Sequence, residues 1–280
     1  MWFSLFKKRD NSKYSLSKLD LDDVNKVDVT IILNLWKRNY FEEQMTALLN
    51  QSVLPTEIWV IHYENHINIQ ERINEFKDLF PNIILISSDK NLMYFGRFSI
   101  AINTNTKYIW FLDDDIIPGK FYLENSTISC QKNNSIISCA GRIIPKNNFR
   151  PEQFDSTNYK NVFVGDVNKK KDYNYNPTEQ LVDYGCQSYF LKKEWLAAFW
   201  SIWPTTFMSG EDIHLSATCK TRLNVNTMVI EQTELSNTGN MKKFYGRDSK
   251  ASYKKFDFVD IREKVIEHHI QDNGWQPLNW

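Results

Sequence analysis

The chain has 280 residues, with 34 Lys or Arg against 34 Asp or Glu and a formal net charge of zero. Hydrophobic residues make up 42% and charged residues 24%, enough apolar material for a sizeable core. The balanced charge shows no basic stripe for a nucleic-acid partner, and no apolar run is long enough to cross a membrane.

Residues 1–26 are polar and charged and read as an N-terminal arm. Its start, MWFSLFKKRD, lacks the apolar centre of a signal peptide. Cys130, Cys139, Cys186 and Cys219 show no CxxC spacing and read as reduced thiols of a cytoplasmic protein. A second reading lets Trp2, Phe3, Leu5 and Phe6 touch a membrane surface, making the protein peripheral to it.

From Val27 the pattern changes. VDVTIILNLW is a near-continuous β-branched run that fits a strand buried on both faces. YFEEQMTALLNQS follows as a helix with Phe41, Met45, Leu48 and Leu49 on one face. EIWVIHY is a second strand. INIQERINEFKDLF places Ile69, Ile73, Phe76 and Phe80 at helical spacing, with Pro81 as the stop. NIILIS is a third strand, RFSIAINT a short helix and YIWFL a fourth strand. This alternation predicts an α/β fold with a doubly wound, mostly parallel central sheet, in which ligands bind beyond the carboxyl ends of the strands.

Beyond Pro118-Gly119 the pattern loosens. SIISCAGRIIP and QLVDYGCQSYFL read as strands, separated by an irregular polar stretch, 146–179. KKEWLAAFWSIW reads as a helix that packs Trp195, Trp200 and Trp203 into the core, and SGEDIHLSATCK begins another. Residues 241–280 form a polar C-terminal tail and a candidate lid, with Lys242, Lys243 and Arg247 as the residues that would close it.

Two acidic constellations stand out. Asp113, Asp114 and Asp115 end the fourth strand, at the rim where this architecture places ligands. Strand alternation would let Asp113 and Asp115 converge, and hard oxygen ligands suit Mn²⁺ or Mg²⁺. The simpler reading is an acidic turn. Glu211 and Asp212 open the last predicted helix; the choice lies between a general base and N-terminal capping.

In order, VTIILNLWKRNYFEEQMTALLNQSVLPTEIWVI, NLMYFGR, YIWFLDDDIIPG and GEDIHLS resemble an inverting family 2 glycosyltransferase of the GT-A fold. The resemblance runs from about Val29 to Ser216. It implies a domain over 27–240, with a nucleotide-binding half about 27–118 and an acceptor half about 119–240. LDDD resembles the DxD motif and GED the motif carrying the base. The resemblance places Leu35, Trp36 and Arg38 on the nucleotide loop, Arg97 near the diphosphate, Asp113 at the ribose with Asp114 beside it, Asp115 on the metal, and Asp212 as base with Glu211 as runner-up. Tyr184, Gly185 and Tyr189 fall on the acceptor-side wall.

One departure is clear. Where the family has an acidic pair after its second strand, this chain reads IHYEN. His62 or Glu64 would then read the base, which leaves UDP, GDP and dTDP open. The implied partners are a nucleoside-diphosphate sugar donor and a glycan or other hydroxyl acceptor. Two alternatives remain at this point. A sugar nucleotidylyltransferase would need a glycine-rich basic loop that LNLWKRN lacks. A non-catalytic nucleotide- or sugar-binding module would tolerate loss of the acids.

Overall fold

A computed structural model describes residues 25–153, 159–166 and 171–280. Apart from Asn25 and Lys26, the expected N-terminal arm and its Trp2, Phe3, Leu5 and Phe6 lie outside the described residues.

The first half alternates as predicted: β1 (Lys26–Leu35), α1 (Phe41–Leu49), β2 (Leu54–Tyr63), α2 (Gln70–Leu79), β3 (Ile83–Ser88), α3 (Met93–Ala101) and β4 (Tyr108–Leu112). The four strands are parallel and lie in the order β3-β2-β1-β4. Their apolar runs suit strands covered on both faces: every residue of β4 is buried, as are Ile31, Ile32 and Leu33 of β1. α2 stops where Phe80 turns extended (φ −140°) ahead of Pro81, whose ring disfavours a helical neighbour. α3 starts ahead of the predicted RFSIAINT, because Asn91 Oδ1 accepts the Met93 N–H at 2.8 Å.

The chain walks outward from β1 to β3, then returns past β1 to β4. Right-handed crossovers therefore put α1 and α2 on one face and α3 on the other. The reversal creates a switch point between β1 and β4, the place where such sheets open a ligand crevice.

The second half contains α4 (Tyr122–Asn133), β5 (Ile136–Arg142), α5 (Tyr159–Val162), β6 (Phe163–Val164), β7 (Gln180–Val182), β8 (Tyr184–Lys192), α6 (Leu196–Phe199), α7 (Glu211–Leu223), β9 (Thr227–Val229) and α8 (Phe258–Glu267). β8 enters antiparallel between β4 and β5, and β9 runs parallel to β5. The α/β class holds, and the sheet is continuous through both halves.

Several expectations shift here. QLVDYGCQSYFL breaks at Asp183, whose carboxylate accepts the backbone N–H of Ile144 at 2.6 Å and of Leu278 at 2.7 Å. KKEWLAAFWSIW gives only a 3-10 turn and the single turn of α6. Trp195 is buried, but Trp203 is 74% exposed and is not a core residue. It sits on the loop running into Pro204, after the helix has ended. The tail is more ordered than its composition suggests. α8 packs Val265 and Ile266, with Trp275 beyond it, against Ile144, Tyr184, Ile213 and Ala217 in a second apolar cluster. α7 ends at a left-handed residue, Asn224 (φ 54°), whose N–H donates to Lys220 O at 3.0 Å, while Val225 N–H reaches Cys219 O at 3.2 Å. All four cysteines are free, and no helix among the described residues is long and apolar enough to cross a membrane.

Candidate functional site

The site gathers at the switch point. Two glutamines on and just after α1 set its floor. Gln44 Nε2 donates to the carbonyls of Asp113 (2.9 Å) and Ile116 (3.1 Å), and Gln51 Nε2 donates to Gly119 O at 2.9 Å. Both ends of the DDDIIPG segment are thereby tied to the helix that follows β1.

β4 ends at Leu112, and Asp114-Asp115 form a turn closed by Ile116 N–H on Asp113 O at 3.2 Å. Strand alternation therefore stops before the acids. Instead of converging as a pair, Asp113 and Asp115 go to different arginines. Arg97 of α3 takes Asp113 and reaches Glu211 at 3.1 Å. Arg38 takes Asp114 at 2.5 Å, Asp115 at 3.1 Å and Asp248 at 2.8 Å. Burial, with Asp114 and Asp113 close by, pushes the Asp115 carboxyl up to about 8 despite Arg38. Burial raises Asp114 to about 6, opposed by Arg38. Arg97 is 1% exposed, and burial works against its charge, but Asp113 and Glu211 keep it firmly protonated.

The predicted nucleotide loop lies beside this block. Leu35 is fully buried in the core. Trp36 donates its indole N–H to Glu64 Oε2 at 2.8 Å, and Lys37 Nζ lies 4.4 Å from the Trp36 ring centre. Glu64 is thus engaged with Trp36. His62, at the end of β2, is 2% exposed, and its Nε2 has no hydrogen-bond partner. Burial, then the neighbouring His66, lowers its pKa, which keeps the ring neutral. His66 bonds the carbonyls of Arg38 (2.9 Å) and Tyr63 (3.2 Å), so the two histidines are not arranged as a metal pair.

Glu211 and Asp212 enter from the opposite side. Gly210 precedes them at φ +84°, a conformation that favours glycine. Gly210 has no side chain to cap α7, but Asp212 Oδ1 takes one first-turn N–H, that of Ile213, at 2.9 Å, so helix-start satisfaction accounts for part of the role of Asp212. Burial, reinforced by Asp212, raises the Glu211 carboxyl to about 7, with Arg97 opposing. Asp212 is held by Arg262 of α8 through two bonds of 2.8 Å, and Arg262 also donates to Glu152 at 2.8 Å. The acceptor-side residues Tyr184 and Tyr189 are buried around this pair. His214 is a core residue: its ring bonds His269 at 3.0 Å and Phe199 O at 2.8 Å.

A strap from the C-terminal tail covers the acidic block. Tyr245 stacks on Tyr40 with ring centres 3.9 Å apart and donates to Glu43 at 3.0 Å. Asp248 pairs with Arg38, Lys250 Nζ donates to Lys37 O at 2.7 Å, and Ser252 bonds Tyr94. The tail thus lies against the acidic block. The described ties come from Tyr245, Gly246, Asp248, Lys250 and Ser252.

The sequence reading missed Arg262, Glu152, Asp248 and the two glutamines. Arg262 left a trace: it falls on the apolar stripe of Phe258, Val265, Ile266 and His269, where an arginine needs a buried partner. Gln44 left one too, as a polar residue on the buried face of α1 with Phe41, Met45 and Leu48, whereas Gln51, Glu152 and Asp248 sit on loops without periodicity.

Among the described residues no group of three or more His, Cys, Asp or Glu is arranged to hold a metal ion. The donor chemistry still suits a hard cation. Asp113, Asp114, Asp115, Asp248, Glu211, Asp212 and Glu152 outnumber Arg38, Arg97 and Arg262, and all offer oxygen.

No protein-family model and no curated protein matches the chain. Solved structures with a similar course include S. aureus TarS, at 14% identity and TM-score 0.49 over 73% of this chain and 35% of that one. TarS 1-349 gives 14% identity and TM-score 0.49, and TarS 1-349 in complex with UDP gives 15% and 0.48, each over 73% of this chain and 58% of that one. The chain thus spans little more than half the length of the longest-matched of these structures.

Proposed function

We propose that the chain is a glycosyltransferase of the GT-A fold that moves a sugar from a nucleoside-diphosphate donor to an acceptor hydroxyl with inversion. One observation carries the reading: Arg97 joins Asp113, at the end of β4, to Glu211, at the start of α7. The two acidic constellations therefore face one another at the switch point, where a donor diphosphate and an acceptor can meet.

In this reading Trp36 offers a ring for the base and the unpartnered His62 Nε2 contacts the base edge. Asp113 faces the ribose. Asp115 would hold Mn²⁺ or Mg²⁺, with Asp113 joining it only on release from Arg97, and the metal when bound would neutralise the departing diphosphate. Gly246 lies against Asp115, so loading requires the strap to shift. Asp212 accepts the proton of the acceptor hydroxyl as that oxygen bonds to the anomeric carbon. The carbon–oxygen bond to the diphosphate breaks, and its electron pair leaves with the diphosphate. Glu211, held by Arg97 and raised by burial, is the second candidate for the base. The four free thiols support the cytoplasm as the compartment.

The test is thermal shift with Mn²⁺ against UDP, GDP, dTDP and their common sugar conjugates, followed by nucleotide release from any conjugate that binds. A ligand at about 100 times its dissociation constant adds roughly 2.7 kcal/mol. A chelator-sensitive shift with slow sugar release supports the reading. Binding without release would favour a non-catalytic module, and no shift would sink both.

A further inference from the structure

We propose that Arg262 is a positioning residue for the transfer step: it fixes both oxygens of Asp212 and leaves Oδ2 as the one that takes the acceptor proton. The inference rests on the reading of Asp212 as base. It extends the site to α8, the helix within the C-terminal tail.

The geometry is that of a fork. Arg262 Nη1 donates to Asp212 Oδ1 and Nη2 to Oδ2, each at 2.8 Å. Planar bidentate pairs of this kind fix orientation as well as charge. The guanidinium is itself anchored on three sides. Its Nε donates to Glu152 Oε1 at 2.8 Å, the same oxygen that takes the Tyr184 hydroxyl at 2.5 Å. Its Cζ lies 5.3 Å from the Tyr184 ring centre and 5.0 Å from that of Phe258. Arg262 is 4% exposed, so solvent does not compete for these contacts.

The two carboxylate oxygens are not equivalent. Oδ1 also accepts the backbone N–H of Ile213 at 2.9 Å, so both its lone-pair sites are in use. Among the described residues Oδ2 has one other hydrogen-bond partner, the Cys186 thiol at 3.9 Å, a weak and long contact. Burial pushes that thiol up to about 12, so it is a neutral group that an acceptor hydroxyl can displace. Oδ2 therefore keeps a lone pair for the proton. Glu211 has no such anchoring, since Arg97 touches it through one nitrogen and is shared with Asp113.

The position in the fold explains why the arginine comes from so far along the chain. Gly210, next to the acids, leaves space that Val265 of α8 fills: a Cβ on Gly210 would stand 3.0 Å from Val265 Cγ2. α8 is thus seated directly on the start of α7, and Arg262, one turn before Val265 on α8, meets Asp212, two residues after Gly210.

The experiment uses the full chain, the nucleotide sugar that stabilises it in thermal shift, and water as acceptor. Kinetics are compared for wild type, Arg262→Lys, Arg262→Met and the double variant Glu152→Gln/Arg262→Met, which removes one of the two acids left unpaired. Arg262→Met and the double variant should lose roughly a hundredfold in kcat, with donor KM and nucleotide thermal shift at wild-type values. Arg262→Lys, a point charge without the fork, should recover only part of kcat. Should Arg262→Met fail to fold, the Lys and double variants decide alone. Wild-type kcat in the folded variants overturns the inference, as does a kcat loss matched by an equal loss of nucleotide binding. A wild-type protein that neither binds a nucleotide nor cleaves a donor overturns the functional reading itself, which the first arm reveals before any variant is compared.

Discussion

Gly246 sits with its Cα against the carboxylate of Asp115, so closely that a Cβ there would stand 2.3 Å from Oδ2. The glycine is also left-handed, at φ +75°. Size and conformation both forbid a side chain at this point. The strap is therefore cut to fit the acid it covers, and with Arg38 held by Asp248 it forms the roof of the site.

Gly246→Ala should break that fit. The left-handed conformation alone costs about 1–3 kcal/mol for a residue with a side chain, and the contact with Asp115 adds to it. The expected result is a lower urea midpoint together with faster trypsin cleavage at Arg247 and Lys250. Unchanged cleavage would mean that the strap is not held by this contact.

Arg97→Met should leave Asp113 and Glu211 without their shared cation. Breaking a buried pair from one side costs roughly 3–5 kcal/mol. Adding Glu211→Gln should restore part of the loss, because it removes the more buried of the orphaned charges. Chemical denaturation of the single and double variants gives the answer, and equal stability of the two would refute the coupling.

The buried His214–His269 pair sets an acid limit. Burial lowers His214 to about 4 and His269 to about 3, from 6.5 in the unfolded chain. Above pH 6.5 neither state binds these protons and stability does not depend on them. As pH falls from 6.5 toward 4 the unfolded chain takes them up and the folded chain does not, so stability falls by a few kcal/mol. Raised carboxyls act with the opposite sign: Glu211 at about 7 and Asp115 at about 8 weaken the fold as pH climbs from about 4 toward those values. Comparison of wild type with His269→Leu isolates the histidines. The variant should show a flatter loss between pH 6.5 and 4, and a parallel loss would count against the pair.

Asp212→Asn and Asp115→Ala should separate chemistry from binding. The first should retain the nucleotide-dependent thermal shift while kcat drops about 10²- to 10⁴-fold. The second should abolish the Mn²⁺-dependent part of the shift. Normal turnover by Asp212→Asn would move the base to Glu211.

The parallel half was legible because burial on both faces writes unbroken apolar runs, as in Val29–Leu33 and Tyr108–Leu112. The clustering of acids at its rim followed from strand polarity. What the pattern hid has physical reasons. α4 buries Ser126, Thr127 and Ser129, so its inner face looks polar in sequence. β9 is three residues long, too short for any period. Pairing of acids with arginines depends on turns after Leu112 and on α8 docking, and neither leaves a periodic trace. Trp203 was misjudged because its neighbours Trp195 and Trp200 flank a single helical turn, Leu196–Phe199, that ends before it.

The antiparallel seam between β4 and β8 has a consequence for how the chain must be made. β4 is mated along its whole length, from Tyr108 opposite Lys192 to Leu112 opposite Ser188. During synthesis, YIWFL emerges well before that mate exists. Until Ser188 and its neighbours are added, one flank of a wholly apolar strand is an open template for pairing with other chains. Fragments ending near Gly119 should therefore aggregate, although they contain every strand of the parallel half, and the nascent protein is most exposed to misassembly over that interval of translation.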